Sequence, residues 1–239
     1  MDQIEGLILK QTDFKESSKI LHVYTETGLK SVLTHGAKQL KSPFLRLAGT
    51  LNLIRYFATG KGLPIMTDGE LLDDFGTLKS NLDKATYATH LIELVYFFAE
   101  GELDHAKLYP FLKRILAKIS ESNDYIPYAF MFELKLLHLL GVSPQFKGCI
   151  VCQTDVAKEF SVEDGGTVCE KHSLGKHTFS ADATYYAAKL YFQDLNSPFD
   201  FTMTDFDLRS VRVLIDEYYR YHLNFQSKTR TLLAGLLGY

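Results

Sequence analysis

The feature that most restricts what this chain can become is a change of hydrophobic period near Ser80. Before it, apolar residues come in short stretches broken by glycines and turn residues. After it, they recur at three- and four-residue spacing. Side chains alternate along a strand and return to one helix face every ~3.6 residues, so the two halves must build different structures. The first half predicts five strands: 3–10, with Ile4, Gly6 and Ile8 on one face, then 19–25, 29–35, 50–59 and 63–72. Glu26-Thr27-Gly28 and Gly60-Lys61-Gly62 supply tight turns, and Pro64 and Gly69 place the last strand at an edge or start. Five short strands before residue 80 are most economically closed as an OB-fold barrel.

The second half predicts helices over 81–99, 106–119, 125–140, 180–195 and 205–225, with a short last one after Ser227. Asn123 or Asp124, Ser180, Thr204 and Ser227 are the candidate caps, and Gly141 stops the third helix. The expected architecture is α+β. A five-stranded OB-fold barrel, residues 1–79, precedes an α-helical domain, residues 80–239, with an embedded insert at about 146–178. Residues 1–10 carry Asp2, Glu5 and Lys10 and lack a signal peptide's apolar core. Runs such as Leu94-Val95-Tyr96-Phe97-Phe98-Ala99 fall far short of the ~18 residues of a membrane span. A soluble, cytoplasmic protein is expected, without a membrane partner.

The insert holds every cysteine of the chain: Cys149-Ile150-Val151-Cys152, then Cys169-Glu170-Lys171-His172. Each knuckle turns the chain so that two ligands face one point, and two knuckles supply the four tetrahedral ligands of a structural zinc ion. Lys147-Gly148 and Gly165-Gly166 allow the turns. The expected metal ligands are Cys149, Cys152, Cys169 and His172, with one structural Zn²⁺; His177, at a longer spacing, stays open as a substitute for His172. Three cysteines in this pattern also argue against a disulfide framework and for a reducing compartment.

The net charge of −3 argues, taken alone, against nucleic acid as a partner, but the charge is unevenly spread. From Thr27 to Thr67 there is no Asp or Glu, while Lys30, Lys38, Lys41, Arg46, Arg55 and Lys61 fall there, with His35. Such a patch is the electrostatic footprint that phosphates require. The expected DNA-binding residues are Lys30, His35, Lys38, Lys41, Arg46 and Lys61. Phe44, Tyr56 and Phe57 interleave with them; taken singly, each is better read as barrel core than as a stacking platform. Residues 38–43 read as a mobile loop. A second acid-free run, 218–239, with Arg220, Lys228 and Arg230, is a weaker signal, because cations near helix C-termini are common for dipole reasons.

No phosphate-binding loop, dinucleotide fingerprint, H-E-x-x-H or G-x-S-x-G occurs. Asp73-Asp74 and Asp205-Phe206-Asp207 are the dense carboxylate groups, and both have structural explanations, at a strand end and in a helix's first turn. No enzymatic activity is expected.

A set of segments stands in order along the chain: Gly6-Leu7-Ile8-Leu9-Lys10, Asp13-Phe14-Lys15-Glu16-Ser17-Ser18-Lys19-Ile20, Thr25-Glu26-Thr27-Gly28-Leu29-Lys30 and His35-Gly36-Ala37-Lys38-Gln39-Leu40-Lys41-Ser42. It continues through Gly69-Glu70-Leu71-Leu72, Phe132-Glu133-Leu134-Lys135-Leu136-Leu137 with Leu140-Gly141, the two knuckles, and Tyr219-Arg220-Tyr221-His222-Leu223. In this ordered set the sequence resembles the RecO family of bacterial recombination mediators. The resemblance implies an N-terminal OB-fold, a helical C-terminal domain, a zinc site, binding of single- and double-stranded DNA, and strand annealing. It further implies partnership with RecR and with single-strand-binding protein, helping to load RecA, in the cytoplasm at the nucleoid. Two departures stand out: Lys38-Gln39-Leu40-Lys41 where many members are richer in Arg, and a His as last zinc ligand. The competing expectation is a zinc-containing OB-fold protein that binds RNA, or a scaffold without a repair role.

Overall fold

The structure is a computed structural model that describes residues 3–238; Met1, Asp2 and Tyr239 lie outside the described residues. Five strands, β1 (Ile4–Phe14), β2 (Ser18–Thr25), β3 (Gly28–Thr34), β4 (Leu53–Thr59) and β5 (Ile65–Asp73), close a barrel in the order β1-β2-β3-β5-β4. Neighbours are antiparallel except β3 and β5, which meet in parallel at Leu33 and Ile65. β1 closes the barrel by pairing twice: its first residues, Ile4 to Leu7, with β4, and Leu7 to Phe14 with β2. A bulge between Ile8 and Lys10 bends it from one partner to the other. Gly6 lies where both partners are close, and a Cβ there would sit 2.8 Å from the Tyr24 carbonyl oxygen.

The barrel core gathers Ile8, Leu21, Val23, Val32, Ile54, Tyr56 and Met66. One end is plugged by Leu47 and Ala48 from the short helix α1 (Pro43–Leu47) and the residue after it. The strand expected over 50–59 therefore begins only at Leu53, and part of the expected loop is a helix start. Ser42 caps it by accepting the Phe44 N–H, and Pro43 opens it. Five residues are too few to show a period, so this helix leaves no pattern in the sequence. β1 runs four residues past its expected end because Gln11 to Phe14 pair with β2 without burying an alternating face.

Helices α2 (Gly76–Ser80), α3 (Leu82–Phe98) and α4 (His105–Glu121) follow. They lie on the helical side of the period change, yet the chain's two compact units divide between Asn123 and Asp124. β1 buries Leu7, Ile8 and Leu9 in succession, so both of its faces are covered. One face is the barrel core; α3 packs on β1 and α4 on β2. Polar groups fix α4 there: the Glu5 carboxylate accepts from Lys113 Nζ at 2.7 Å, Tyr109 Oη at 3.2 Å and Arg55 at 3.4 Å, and Tyr24 Oη lies 2.9 Å from His105 Nδ1.

The second unit contains α5 (Ile126–Leu139), a hairpin of β6 (Glu159–Ser161) and β7 (Gly166–Val168), α6 (Glu170–Ser173), α7 (Ala181–Phe192), α8 (Asp205–Leu223) and α9 (Arg230–Leu237). Ser180 caps α7, and Thr204 with Asp207 forms a reciprocal capping box on α8. The N-cap position of α5 is Tyr125 rather than Asn123 or Asp124; Ser227 accepts the Thr229 N–H just ahead of α9. α5, α7 and α8 pack on one another, and α9 packs on α8. Between α5 and α8 Arg212 and Glu133 form a bidentate pair at 2.6 and 2.7 Å, both side chains about 1% exposed. No helix among the described residues is long and apolar enough to cross a membrane.

The Glu5 node generates a pH dependence. The hydrogen bond from Lys113 lowers the Glu5 pKa, burial opposes it, and Tyr109 and Arg55 add to the lowering. Its stabilisation is therefore complete above the ordinary Glu value of about 4.3 and is lost as pH falls through the depressed folded value. Glu5→Gln should melt at lower temperature than wild type at pH 7, with the gap closing below about pH 4. A gap that stays constant in melting curves down to pH 3 would refute this assignment.

Candidate metal centre and nucleic-acid interface

The first knuckle is built by hydrogen bonds that curl the chain around Cys149. Its N–H donates to the Thr154 carbonyl at 2.7 Å, and its carbonyl accepts from Gln153 N–H at 2.8 Å. Gly148 and Gln153 both take positive φ, +66° and +62°. A Cβ on Gly148 would add a 3.1 Å contact with the Thr154 carbonyl. Ile150 N–H bonds the Thr167 carbonyl at 2.8 Å, fastening this knuckle to β7. The second knuckle is the single turn of α6. Cys169 stands before it, and its carbonyl accepts from His172 and Ser173 at 2.8 and 2.9 Å, which returns the imidazole beside the thiol.

The four ligand atoms all lie within 4.8 Å of one another. Cys152 and Cys169 sulfurs are 3.8 Å apart, and His172 Nδ1 is 3.5 Å from Cys149 Sγ and 3.3 Å from Cys169 Sγ. A tetrahedron with metal–sulfur bonds of ~2.3 Å and a metal–nitrogen bond of ~2.0 Å has edges of about 3.8 Å and about 3.5 Å. The donor set and its spacing therefore fit one tetrahedral ion, with no position left for a water. His177 lies elsewhere, 3.6 Å from Glu217, so His172 is the residue brought into the cluster. Burial pushes the Cys149 thiol up, but the N–H groups of Cys152, Cys169 and Val151 outweigh it and bring the pKa to about 6. At Cys152 the Thr154 N–H lowers the pKa, and burial and the neighbouring sulfurs outweigh it upward.

The insert is tied to α8 as well as to itself. His222 Nε2 lies 2.7 Å from the Val162 carbonyl, and Tyr218 Oη donates to the Val142 carbonyl at 3.1 Å. Phe160 is fully buried between the Phe146 and Tyr218 rings.

The cations of the acid-free stretch are distributed less simply. Following the registers Asp13–Lys19–Thr34 and Leu33–Ile65–Thr59 around the barrel, the β1–β2 turn, the β3–α1 turn and the β4–β5 turn emerge side by side. This brings together His35, Lys38 and Lys41 with Lys61, and adds Lys15 and Lys19, which a search for an acid-free run misses because Asp13 and Glu16 lie among them. The backbone makes the junction directly: Lys38 N–H donates to the Ser17 carbonyl at 3.1 Å. Arg46 is exposed on α1, whereas Lys30 sits half-buried near the opposite end of β3. His35 Nδ1 lies 3.0 Å from Ser18 Oγ.

Acids from outside the stretch reach into it. Lys38 Nζ is 2.9 Å from Asp13, and Arg55 pairs with Glu70 at 2.7 Å and Glu5 at 3.4 Å. Tyr56 is core, about 1% exposed, and Phe44 packs against that core, so neither is a stacking platform. In the second run Arg230 faces Asp216 at 3.5 Å. Three of these carboxylates are spent on backbone: Asp73 and Asp74 accept the Phe75 and Gly76 N–H groups, and Asp207 completes the α8 cap.

A closed five-stranded barrel of this topology, followed by helices that carry a two-knuckle Cys3His cluster, defines a class: OB-fold proteins with an appended helical region that bears a candidate metal centre. Within it, residues 1–75 match the family model described as Recombination protein O N terminal and residues 79–231 that described as Recombination protein O C terminal. The chain belongs to the RecO family. It is 28% identical over 242 residues to the DNA repair protein RecO of Halalkalibacterium halodurans, covering 97% of this chain and 94% of the relative. With the DNA repair protein RecO of Bacillus mycoides it shares 28% over 244 residues, 98% and 97% of the two chains. With that of Listeria welshimeri it shares 32% over 177 residues, 72% and 68%.

The cluster geometry predicts one tightly bound metal ion per chain. Cys152→Ser should lower the metal content severalfold and speed proteolysis within 146–178, because the two knuckles lose their common anchor. Elemental analysis of unoxidised wild-type protein that finds no stoichiometric metal would overturn the prediction.

Proposed function

We propose that this chain is a DNA-binding and strand-annealing recombination mediator in DNA repair, acting through binding rather than bond chemistry. The observation that carries this reading is the gathering of Lys15, Lys19, Lys38, Lys41 and Lys61 at neighbouring strand ends of an OB barrel in a RecO-family chain. Cations placed there neutralise phosphates and release condensed counterions, which favours binding of single- and double-stranded DNA alike. The same charges lower the repulsion between two backbones, so annealing needs no active site. The names of the relatives support a repair role. Family membership supports RecR and single-strand-binding protein as partners, with RecA loaded indirectly, in the cytoplasm at the nucleoid.

The division of labour in this reading is a DNA-binding barrel, residues 1–79, and a helical region, 80–239; the family models part at the same place. We assign the Cys149, Cys152, Cys169 and His172 cluster to one structural Zn²⁺, since three thiolates and an imidazole suit it and four protein ligands fill its shell. The ion cross-links the two knuckles; the residues around it do the remaining work of tying the insert to α8.

The test is annealing of complementary strands coated with the cognate single-strand-binding protein. Acceleration over spontaneous annealing is expected; none at any protein concentration would reject the reading. Lys38→Ala with Lys41→Ala should weaken DNA binding across all sequences and flatten the salt slope by about one unit per lost phosphate contact. Affinity and slope equal to wild type in a folded double variant would place the DNA site elsewhere.

Asp13 makes a second, opposite prediction. Its carboxylate holds the Lys38 ammonium, whose hydrogen bond lowers the Asp13 pKa, so the acid stays charged at neutral pH and competes with a phosphate for the same cation. Asp13→Asn should tighten DNA binding by about twofold to fivefold at low salt, the effect fading as salt screens it. Weaker binding in titrations of Asp13→Asn would instead make the acid a necessary orienting group.

A further inference from the structure

We infer that Leu40 is an apolar wedge that presses against the bases of a bound strand, while the lysines on either side hold its phosphates. The inference rests on the proposed DNA-binding reading of the barrel and deepens it. Leu40 is 93% exposed, more than any other large apolar side chain among the described residues. Single exposed leucines are ordinary on a protein surface. Three observations separate this one from them.

First, its position is fixed rather than left to a wandering loop. Gln39 N–H donates to the Gly36 carbonyl at 2.9 Å, Ser42 N–H to the Gln39 carbonyl at 3.0 Å, and Lys38 N–H to the Ser17 carbonyl at 3.1 Å. Gly36 turns the chain at a φ of +71°, where a Cβ would meet the Ser42 hydroxyl at 3.1 Å, and Ser42 then caps α1. Backbone bonds thus bracket Leu40, so little backbone freedom is lost when it binds. Second, Lys38 and Lys41 flank it in sequence, and Lys15 and Lys19 lie across the adjoining turn joined at Ser17, so the tip is apolar and the lysines around it outnumber Asp13 and Glu16. That is the arrangement a nucleic-acid strand presents in reverse: apolar base faces bordered by anionic phosphates. Third, Tyr56 and Phe44 do not serve as base platforms, because Tyr56 is core and Phe44 packs on it. Among the exposed apolar side chains at this end, Leu40 stands out furthest, at 93% against 39% for Leu63 and 38% for Ile65.

Apolar side chains such as Leu part neighbouring bases when inserted between them. At Leu40 that contact would favour an unpaired strand, whose bases are open to it, and would hold those bases apart from one another until a complementary strand takes them.

The test uses the full chain, a single strand carrying the fluorescent base analogue 2-aminopurine, and the duplex of the same sequence. Wild type should raise 2-aminopurine emission on binding the single strand, as unstacking does. Leu40→Ala should keep the wild-type salt slope, lose most of the emission rise, and bind the single strand about fivefold more weakly with a smaller change for the duplex, as expected for removing part of a buried Leu contact. Leu40→Phe should retain the emission change, since a ring can stack on a base. Wild-type behaviour of Leu40→Ala in all three measurements would overturn the wedge and leave the DNA reading intact. Unchanged DNA binding with lost binding of single-strand-binding protein would also overturn it and assign Leu40 to a protein surface. Absence of DNA binding by wild type would overturn both.

Discussion

The second unit depends on the Arg212–Glu133 pair. Both side chains are about 1% exposed, and the guanidinium bonds both carboxylate oxygens and reaches on to Asp216 at 2.7 Å. Burying two charges costs several kcal/mol of lost hydration for each, offset only when geometry is good and the remaining donors are satisfied. A bidentate fork supplies the geometry in one register of α8 against α5, so the pair selects an alignment more than it adds stability. Tyr219 strengthens the selection by donating to the Glu133 carbonyl at 2.8 Å, and Asp216 passes the alignment to α9 through Arg230.

From that alignment follows the placement of the metal cluster. Tyr218 and His222 leave α8 roughly two to three turns past Arg212, and they hold the carbonyls of Val142, just before the insert, and Val162, within it. The knuckles are local objects, but where they stand in the second unit is decided by α8. The cluster and the ion pair do complementary things: an ion held by the cluster would cross-link two short turns that have little core of their own, and the ion pair orients the helix to which those turns are tied.

The barrel solves a different problem. A cationic surface is easily concentrated by sequence and easily neutralised by folding. Here the registers do both, bringing Lys15 and Lys19 into the cluster while delivering Asp13 to Lys38 and Glu70 to Arg55. The resulting surface is less positive than the acid-free stretch alone implies. That moderation suits a protein whose proposed task is to hold strands and then release them into a duplex.

Much of this was legible in the sequence, because it depends on neighbours along the chain. The change of period separates strands from helices, Ser180 and Thr204 mark helix starts through bonds that span three residues, and the two knuckles bring each ligand pair together within one turn. The rest depends on residues far apart. That His172 and not His177 completes the cluster, that α1 plugs the barrel, that α2 to α4 pack with it, and that Glu133, a lone acid in an apolar helix, meets Arg212 are outcomes of packing. The charge pairing follows the same division. Sequence by itself determined which charges the chain carries and in what order. Tertiary structure decided which of them face one another, since strand register places Asp13 beside Lys38 although 25 positions separate them.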